Sequence, residues 1–305
     1  MPRKLASAET EANMNMKSQP GKTLAERVKE PGLISAPGVF DMISAKIADS
    51  MGFDVLYMTG YGVVASHLGL PDAGLASYTE MVGRVRQLAQ GITTPLVADG
   101  DTGYGGLLNV DFTVRGYEAA GAQAIQIEDQ EFPKKCGHTP GRRVVPIKDA
   151  VLRIKVAAQA RSSKDFLIIA RTDARTSLGL DEALRRGEEF LKAGADILFI
   201  ESPESEAEME KIGRSFDAPL IANMVEGGRT PILSRAELEQ LGFKLAIFPV
   251  SGLLAMGAAL RSVYGEIRKN GSTKGWGGEL YPFDEFSRLM GFERIWAFER
   301  EHAEL

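Results

Sequence analysis

The sequence is poor in cysteine and histidine and has no long apolar run. Its 305 residues include one cysteine, Cys136, and three histidines, His67, His138 and His302. A single cysteine excludes an intrachain disulfide framework and a multi-cysteine zinc site, and histidines so far apart disfavour a mixed-ligand zinc site. No apolar stretch approaches the roughly 20 residues that span a membrane. These absences predict a cytoplasmic protein that does not insert into a membrane.

An excess of basic residues is lacking too. The chain has 36 basic and 41 acidic residues and a net charge of −5, so nothing in its charge indicates binding to nucleic acid. Residues 1–22 have no apolar core of a secretory signal and carry Glu9 and Glu11, which disfavours an organellar targeting peptide. We interpret residues 1–22 as a disordered N-terminal arm.

What the chain does have is a regular alternation of short apolar runs and amphipathic stretches between Leu33 and Gly271. The apolar runs are typical of strands buried on both faces of a parallel sheet. The amphipathic stretches have helical spacing, and one of them places on a single face Leu180, Ala183, Leu184, Gly187 and Leu191. We count eight strand–helix units, which predicts an α/β fold, a (β/α)8 TIM-type barrel over residues 23–271.

A doubly wound open sheet is the alternative architecture. Its nucleotide-binding form places a G-x-G-x-x-G turn after the first strand, and the sequence APGVFD at that point lacks the turn. Residues 272–305 follow the barrel as a helical extension that ends in an amphipathic helix. The apolar face of this helix favours contact with a neighbouring subunit over contact with its own barrel. It comprises Phe286, Leu289, Met290, Phe292 and Trp296.

Polar residues follow most of the predicted strands. The carboxyl ends of barrel strands carry the active site, and at those ends stand Tyr57, Thr59, Asp99, Asp101, Glu128, Asp129, Arg171, Asp173, Glu201 and Asn223. Any one of them is readily explained as a helix cap or a turn residue. Several acids in one barrel mouth repel each other unless a cation binds them.

The acids at the mouth predict a metal site. Asp99 and Asp101, together with Glu128, supply hard oxygen ligands without His or Cys, which favours Mg²⁺, with Mn²⁺ as the alternative. Arg171 stands beside them in sequence. It either orients the acids or binds a substrate carboxylate through two hydrogen bonds.

The loop after the fourth strand, EFPKKCGHTPGRRVV at residues 131–145, is long and has Pro and Gly near both ends, as a mobile lid does. We call this segment the lid. It surrounds Cys136 with basic residues, namely Lys134, Lys135, His138, Arg142 and Arg143. Nearby cations predict a lowered pKa for Cys136 and a role in proton transfer. The alternative interpretation is a solvated basic loop with an incidental cysteine.

Five segments resemble the isocitrate lyase/phosphoenolpyruvate mutase superfamily: VADGDTGYG at 97–105, IQIEDQ at 125–130, KKCGH at 134–138, IARTDA at 169–174 and IANMVEGG at 221–228. The resemblance runs from Leu33 to Gly271. It implies a homotetramer that exchanges its eighth barrel helix between paired subunits. It further implies Mg²⁺ near Asp99, Asp101 and Glu128, with Asp72 close by through water.

The same resemblance implies a substrate class and the residues that bind it. Substrates are 2-hydroxy or 2-oxo diacids, with one carboxylate against Thr59, Gly60 and Tyr61. A cysteine in the lid implies carbon–carbon cleavage. The second carboxylate is then held by Gly137, His138, Arg171 and Asn223, with Glu201 organising the pocket. Cys136 is the expected general acid, and Tyr57 or a metal-binding acid is the expected base.

Two positions depart from the methylisocitrate lyase pattern within that superfamily. Val225 stands where those enzymes carry Thr, and Leu254 stands where they carry the Arg that holds a third carboxylate. With these two departures, the resemblance implies a Mg²⁺-dependent lyase for a 2-alkylmalate such as 2,3-dimethylmalate, giving a 2-oxo acid such as pyruvate and a carboxylic acid. The alternatives, in order, are oxaloacetate hydrolysis to oxalate and acetate, methylisocitrate cleavage and phosphorus–carbon chemistry of the phosphonopyruvate type. A non-catalytic barrel is the alternative outside the enzymes.

Overall fold

A computed structural model describes residues 21–303 and confirms the predicted barrel. Eight parallel strands close on themselves in chain order, and the last strand pairs with the first. The strands are β1 (Ile34–Val39), β2 (Leu56–Met58), β3 (Leu96–Asp99), β4 (Ala124–Glu128), β5 (Leu167–Thr172), β6 (Ile197–Ile200), β7 (Leu220–Asn223) and β8 (Leu245–Phe248).

Helices alternate with the strands along the chain. A first short helix, α1 (Leu24–Arg27), precedes β1. Those that follow are α2 (Met42–Ser50), α3 (Gly60–Leu68), α4 (Tyr78–Gly91), α5 (Leu107–Ala120), α6 (Ile147–Ala160), α7 (Ala174–Leu178), α8 (Leu180–Ala193), α9 (Glu206–Ser215), α10 (Arg235–Gln240) and α11 (Ser251–Asn270), then α12 (Phe283–Leu289) and α13 (Phe292–Glu301).

Apolar side chains fill the inside of the barrel. Val97, Ile169 and Phe199 are buried together there, in one cluster that also contains Leu24 of α1. The main-chain N–H of Leu24 donates to Gln123 Oε1 at 2.6 Å, just before β4. The short first helix thus packs onto the barrel core at the end where the strands begin, which leaves the opposite end for a site.

Strand register sets the height of the polar residues at that opposite end. Glu128 of β4 is paired with Arg171 of β5, and Asp99 of β3 is paired with Gln126 of β4. Paired residues on neighbouring parallel strands lie side by side. The register therefore brings acids, an amide and a guanidinium to one rim of the barrel.

The chain forms two compact units, the first ending at Ser251 and the second running over Gly252–Leu305. The predicted boundary after residue 271 falls inside the second unit. Where the sequence predicts one long terminal helix, the structure has two, α12 and α13, because Gly291 adopts the left-handed conformation with φ 97° between them. Within residues 252–303, none of the described helical side chains is buried.

Some expectations fall outside what the structure describes or tests. The predicted N-terminal arm, residues 1–22, lies outside the described residues except for Gly21 and Lys22. The exchange of the eighth helix and the tetramer remain predictions. Over residues 21–303, the structure contains no helix with the length and apolarity needed to cross a membrane.

Candidate active site

The rim of the barrel collects most of the predicted site residues in one place. Lys134 of the lid lies between two carboxylates, with its Nζ 2.5 Å from Asp72 Oδ1 and 2.6 Å from Asp101 Oδ1. The lysine is only 3% exposed. Burial lowers the pKa of Lys134, but the surrounding acids outweigh this effect and raise it well above its usual range. The lid thus supplies a permanent cation to the acidic mouth.

Even with this cation present, the acids carry an excess of negative charge. Burial raises the pKa of Asp101 to about 7, against the opposing attraction of Lys134. Burial also raises the pKa of Glu128 well above its usual value, against the attraction of Arg171. Both carboxyls have a strong tendency to take up a proton or to accept a further cation.

The acids at the end of β3 pack tightly against the start of α3. A Cβ added to Gly60 would lie 2.7 Å from Asp99 Oδ2, so only glycine leaves room for that carboxylate. Asp99 Oδ1 accepts from the Asp101 main-chain N–H at 3.1 Å and from Gln126 Nε2 at 3.2 Å. Asp101 itself holds a left-handed backbone with φ 48°, a strained conformation that is common at functional sites.

The donor chemistry of this cluster fits a hard divalent cation. Asp72 Oδ1 and Asp101 Oδ1 have no hydrogen bond besides the ion pair with Lys134, and Glu128 Oε1 has no hydrogen-bond partner. Among residues 21–303, no three His, Cys, Asp or Glu side chains are arranged to ligate an ion together. The unpaired buried carboxylate oxygens suit a hard divalent cation that keeps some of its waters.

Arg171 lies at the centre of the site, between two acids of the mouth. It donates to Asp173 through Nε at 2.9 Å and Nη2 at 3.0 Å, and it lies 3.5 Å from both Glu128 and Glu201. Its guanidinium also lies 5.1 Å from the centre of the Phe199 ring. Asp173 is one of the strand-end residues that the sequence placed at the expected site, with a helix cap as the alternative, and its side chain orients this arginine and makes no capping hydrogen bond to α7.

Asp173 also binds the lid. Arg142 donates to Asp173 Oδ1 at 2.6 Å and to Thr176 Oγ1 at 2.7 Å, and its side chain is fully buried. The far end of the lid is therefore anchored to the same carboxylate that orients Arg171.

The middle of the lid lies directly on the centre of the site. A Cβ on Gly137 would collide with Arg171 Nη2 and lie 2.8 Å from Glu201 Cδ. The Gly137 carbonyl accepts from Ser202 Oγ at 3.0 Å. Glu201 accepts from Ser202 Oγ at 2.9 Å and from Asn223 Nδ2 at 3.1 Å. The lid therefore packs onto Arg171 and Glu201, and the absence of a side chain at Gly137 permits this close approach.

Cys136 has a raised pKa, so the lowered pKa expected from the sequence is wrong. Burial raises the pKa of the thiol, and the charges of Asp72 and Glu201 add to this effect. The basic residues of the lid turn to other partners, among them Lys134 to its two acids and Arg142 to Asp173. The main-chain N–H of Cys136 donates to the Asp72 carbonyl at 3.2 Å. The thiol is therefore protonated at neutral pH.

Tyr57 is a poor candidate for a base. Its hydroxyl donates to Gln126 Oε1 at 3.0 Å. Burial raises the pKa of Tyr57 well above its usual value, and the nearby Asp99 adds to the shift.

Gln126, which connects Tyr57 to Asp99, was missed in the sequence. The signal was present, because Gln126 and Glu128 stand two apart on β4 and share a face of the sheet.

The segment after β2, residues 59–61, caps and begins helix α3, and the first N–H groups of this helix can attract an anion. Thr59 is buried and accepts from the Gly62 main-chain N–H at 3.3 Å, so it caps α3. Tyr61 is 39% exposed. The first N–H groups of a helix attract anions, and here they lie beside the acids of β3.

Comparisons with known proteins agree with this architecture. The profile of the phosphoenolpyruvate phosphomutase family matches residues 24–268. A 2,3-dimethylmalate lyase from Eubacterium barkeri is 46% identical over 280 residues, covering 92% of this chain and 97% of that protein.

Two solved structures extend the comparison. Oxaloacetate acetylhydrolase in complex with the inhibitor 3,3-difluorooxalacetate has a TM-score of 0.87 and 32% identity, covering 94% of this chain and 98% of the other. A phosphonopyruvate hydrolase in complex with oxalate and Mg²⁺ has a TM-score of 0.82 and 32% identity, covering 91% of this chain and 96% of the other.

Proposed function

Because the chain belongs to the phosphoenolpyruvate mutase/isocitrate lyase superfamily of enzymes, we propose that it is a carbon–carbon lyase for a 2-hydroxy diacid. The substrate is a 2-alkylmalate such as 2,3-dimethylmalate, and the products are a 2-oxo acid such as pyruvate and a second carboxylic acid. The observation that carries this proposal is the placement of Cys136 in the lid, where its main-chain N–H donates to the Asp72 carbonyl and the next residue, Gly137, packs against Arg171 and Glu201. Burial raises the pKa of the thiol, which favours its protonated form. A general acid needs its proton before the reaction begins.

The acid cluster is proposed to hold Mg²⁺, with Mn²⁺ as the alternative. Asp99, Asp101 and Glu128 are the residues proposed to surround the ion, some of them through its bound waters, and Asp72 is proposed to act through water. When bound, such a cation polarises the carboxylate and hydroxyl of the substrate and stabilises the 2-oxo acid that forms. The related phosphonopyruvate hydrolase crystallised with oxalate and Mg²⁺ supports this choice.

The residues of the chain supply the proton transfers. A carboxylate at the mouth takes the 2-hydroxyl proton, and Glu128 Oε1 suits this role because it has no hydrogen-bond partner. The Tyr57 phenol keeps its own proton. The sequence left two candidate bases open, Tyr57 and a metal-binding carboxylate. These contacts favour the carboxylate.

Bond cleavage then moves charge toward the lid. The C2–C3 bond breaks, its electron pair passes to C3, and the negative charge spreads into the carboxylate attached to C3. Arg171, His138 and Asn223 are the proposed donors to that carboxylate, together with the Gly137 main chain. Preorganised donors aimed at developing charge provide most of the rate gain in such reactions. The Cys136 thiol gives its proton to C3, which releases the second carboxylic acid.

A substrate panel tests this proposal. The purified enzyme is mixed with Mg²⁺ and, separately, with 2-methylmalate, 2,3-dimethylmalate, methylisocitrate, isocitrate, oxaloacetate and phosphonopyruvate, and the products are identified by NMR. We expect pyruvate from a 2-alkylmalate at the highest kcat/KM. Absence of pyruvate from both alkylmalates, or equal activity after complete chelation of divalent ions, contradicts the proposal.

Oxaloacetate hydrolysis is the second candidate, and the structural similarity to oxaloacetate acetylhydrolase favours it. Water would then attack the carbonyl carbon, and the products would be oxalate and acetate. The oxaloacetate arm of the panel separates the two reactions by their products.

We further propose that the enzyme is a cytoplasmic homotetramer with a small-molecule diacid as its partner and no nucleic-acid ligand. Light scattering after size-exclusion chromatography measures the assembly directly. A monomeric mass at micromolar concentration contradicts the tetramer.

A further inference from the structure

His138 of the lid contacts the loop that follows β7. The main-chain N–H of Arg229 donates to His138 Nδ1 at 3.2 Å. A main-chain N–H can only donate, so Nδ1 must offer its lone pair in this contact. In a neutral imidazole, the ring proton then lies on the other nitrogen, Nε2.

The second ring nitrogen faces the site. Nε2 lies 3.4 Å from Glu201 Oε1. It also lies 3.3 Å from Asn223 Nδ2, which already donates to Glu201 Oε2 at 3.1 Å. With a proton on Nε2, the imidazole and the Asn223 amide both donate toward Glu201 and form no hydrogen bond with each other. A proton on Nδ1 would instead face the fixed Arg229 N–H. Burial lowers the pKa of His138, so the ring is neutral at neutral pH.

Gly228 provides the room for this contact. A Cβ at position 228 would lie 2.8 Å from His138 Nδ1, 3.0 Å from His138 Cε1 and 2.9 Å from the Val225 carbonyl oxygen. The Val225 oxygen belongs to the main chain and accepts from the Gly228 N–H at 2.9 Å, so it cannot easily move. A side chain here would force the imidazole away from the Arg229 N–H.

We propose that the Arg229 main-chain N–H, with the clearance left by Gly228, is a positioning element that fixes His138 as its Nε2–H tautomer. The imidazole then always presents a donor to the pocket. Resting on the proposed function, this makes His138 selective for a substrate oxygen that can only accept, such as a carboxylate oxygen. A hydroxyl that must donate at this position is disfavoured.

Nitrogen NMR of the complete protein tests the assignment. The chain has only three histidines, so a sample labelled with ¹⁵N in the imidazole rings gives few signals, and His138→Gln identifies those of His138. At about pH 8, above the usual histidine pKa of about 6.5, we expect an unprotonated Nδ1 and a protonated Nε2. A proton mainly on Nδ1, or on both nitrogens, overturns the proposal.

Two variants separate positioning from folding. Arg229→Ala keeps the main-chain N–H and should leave the His138 signals unchanged. Gly228→Ala should increase the Nδ1–H population and reduce kcat by more than about tenfold, a size usual for one misplaced donor. If Gly228→Ala does not fold, the native spectrum still decides.

The spectrum is also independent of the reaction. A protein without carbon–carbon lyase activity that still shows the Nε2–H form refutes the proposed function and leaves the tautomer assignment in place. An active lyase with a proton on Nδ1 supports the proposed function and refutes the tautomer assignment.

Discussion

Lys134 and Asp101 form an ion pair that joins the lid to the end of β3, with 2.6 Å between Nζ and Oδ1. The pair does not neutralise the mouth, because burial still raises the pKa of Asp101 to about 7. The pKa of Asp101 lies above its unfolded value of 3.8. The charged carboxylate therefore destabilises the metal-free fold above pH 7, and this destabilisation disappears as the pH falls toward 4.

Mg²⁺ binding should depend on pH through the same group. Below about pH 7 a proton competes with the ion for Asp101, so we expect the affinity to fall by up to about tenfold per pH unit there and to level off above pH 8. Titration calorimetry in buffers of different ionisation enthalpy should detect up to one proton released per ion. Asp101→Asn should bind more weakly and with a flatter pH profile. An affinity that is constant between about pH 6 and 8 contradicts this prediction.

Replacement of Cys136 should remove catalysis and leave the fold intact. We expect Cys136→Ser and Cys136→Ala to lower kcat on the active 2-alkylmalate by about 10²–10⁴-fold, because a general acid contributes that much. KM should change little, since the thiol acts on a carbon that forms during the reaction. Steady-state kinetics and a melting curve measure the two properties. Near-normal turnover of Cys136→Ala removes the thiol from the mechanism.

Two adjacent arginines of the lid should differ sharply in their effect on stability. Arg142 is fully buried and bonds Asp173, which keeps Arg171 as its second cation, so Arg142→Ala removes one charge-assisted hydrogen bond from a buried carboxylate and should lower the free energy of unfolding by about 1.5–3 kcal/mol. Arg143 has 79% of its side chain exposed and pairs with Glu131 at 2.7 Å, so Arg143→Ala should lower it by at most about 1 kcal/mol. Urea unfolding of both variants gives the comparison. Equal losses would mean that the buried pair does not anchor the lid.

The enzyme should discriminate against tricarboxylates. The resemblance to methylisocitrate lyases predicts that Leu254 and Val225 replace the side chains that would bind a third carboxylate, and an unpaired charge buried with the substrate costs several kcal/mol. We expect kcat/KM for 2,3-dimethylmalate to exceed that for methylisocitrate by at least about 100-fold, since each 1.4 kcal/mol is tenfold. Leu254→Arg should reduce the ratio of these two kcat/KM values. Leu260→Arg on the same helix is the control and should leave the ratio unchanged. A ratio near one contradicts the prediction.

The barrel was predictable because its signal is periodic. Every strand is a short apolar run, and β4 and β5 are buried along their whole length. The position of the site followed from the same pattern, since the rim of a parallel barrel is where strand ends meet. By contrast, Gly291 was not recognised as a helix break, because the apolar spacing continues across it while its backbone turns left-handed.

The electrostatics of the site could not be predicted from sequence order. Lys134, Arg142 and Cys136 lie close together in the chain. In the folded lid, Lys134 pairs with Asp72 and Asp101, and Arg142 pairs with Asp173. The thiol of Cys136 is left with the negative charges of Asp72 and Glu201 close enough to raise its pKa. The partners of Lys134 and Arg142 depend on how the lid folds, which composition and spacing do not encode. Gln126 was missed because an amide inside an apolar strand has no distinctive motif, although the two-residue spacing of Gln126 and Glu128 on β4 did carry a signal.

The protonated state of Cys136 has a consequence for covalent inhibitors. General alkylating reagents react with thiolates, so they should modify this enzyme slowly despite the single, half-buried cysteine. An effective inactivator has to bring its electrophile under the lid on a diacid scaffold that Arg171 and the start of α3 can hold. Selectivity among cysteine enzymes would then come from recognition of the scaffold and not from thiol reactivity.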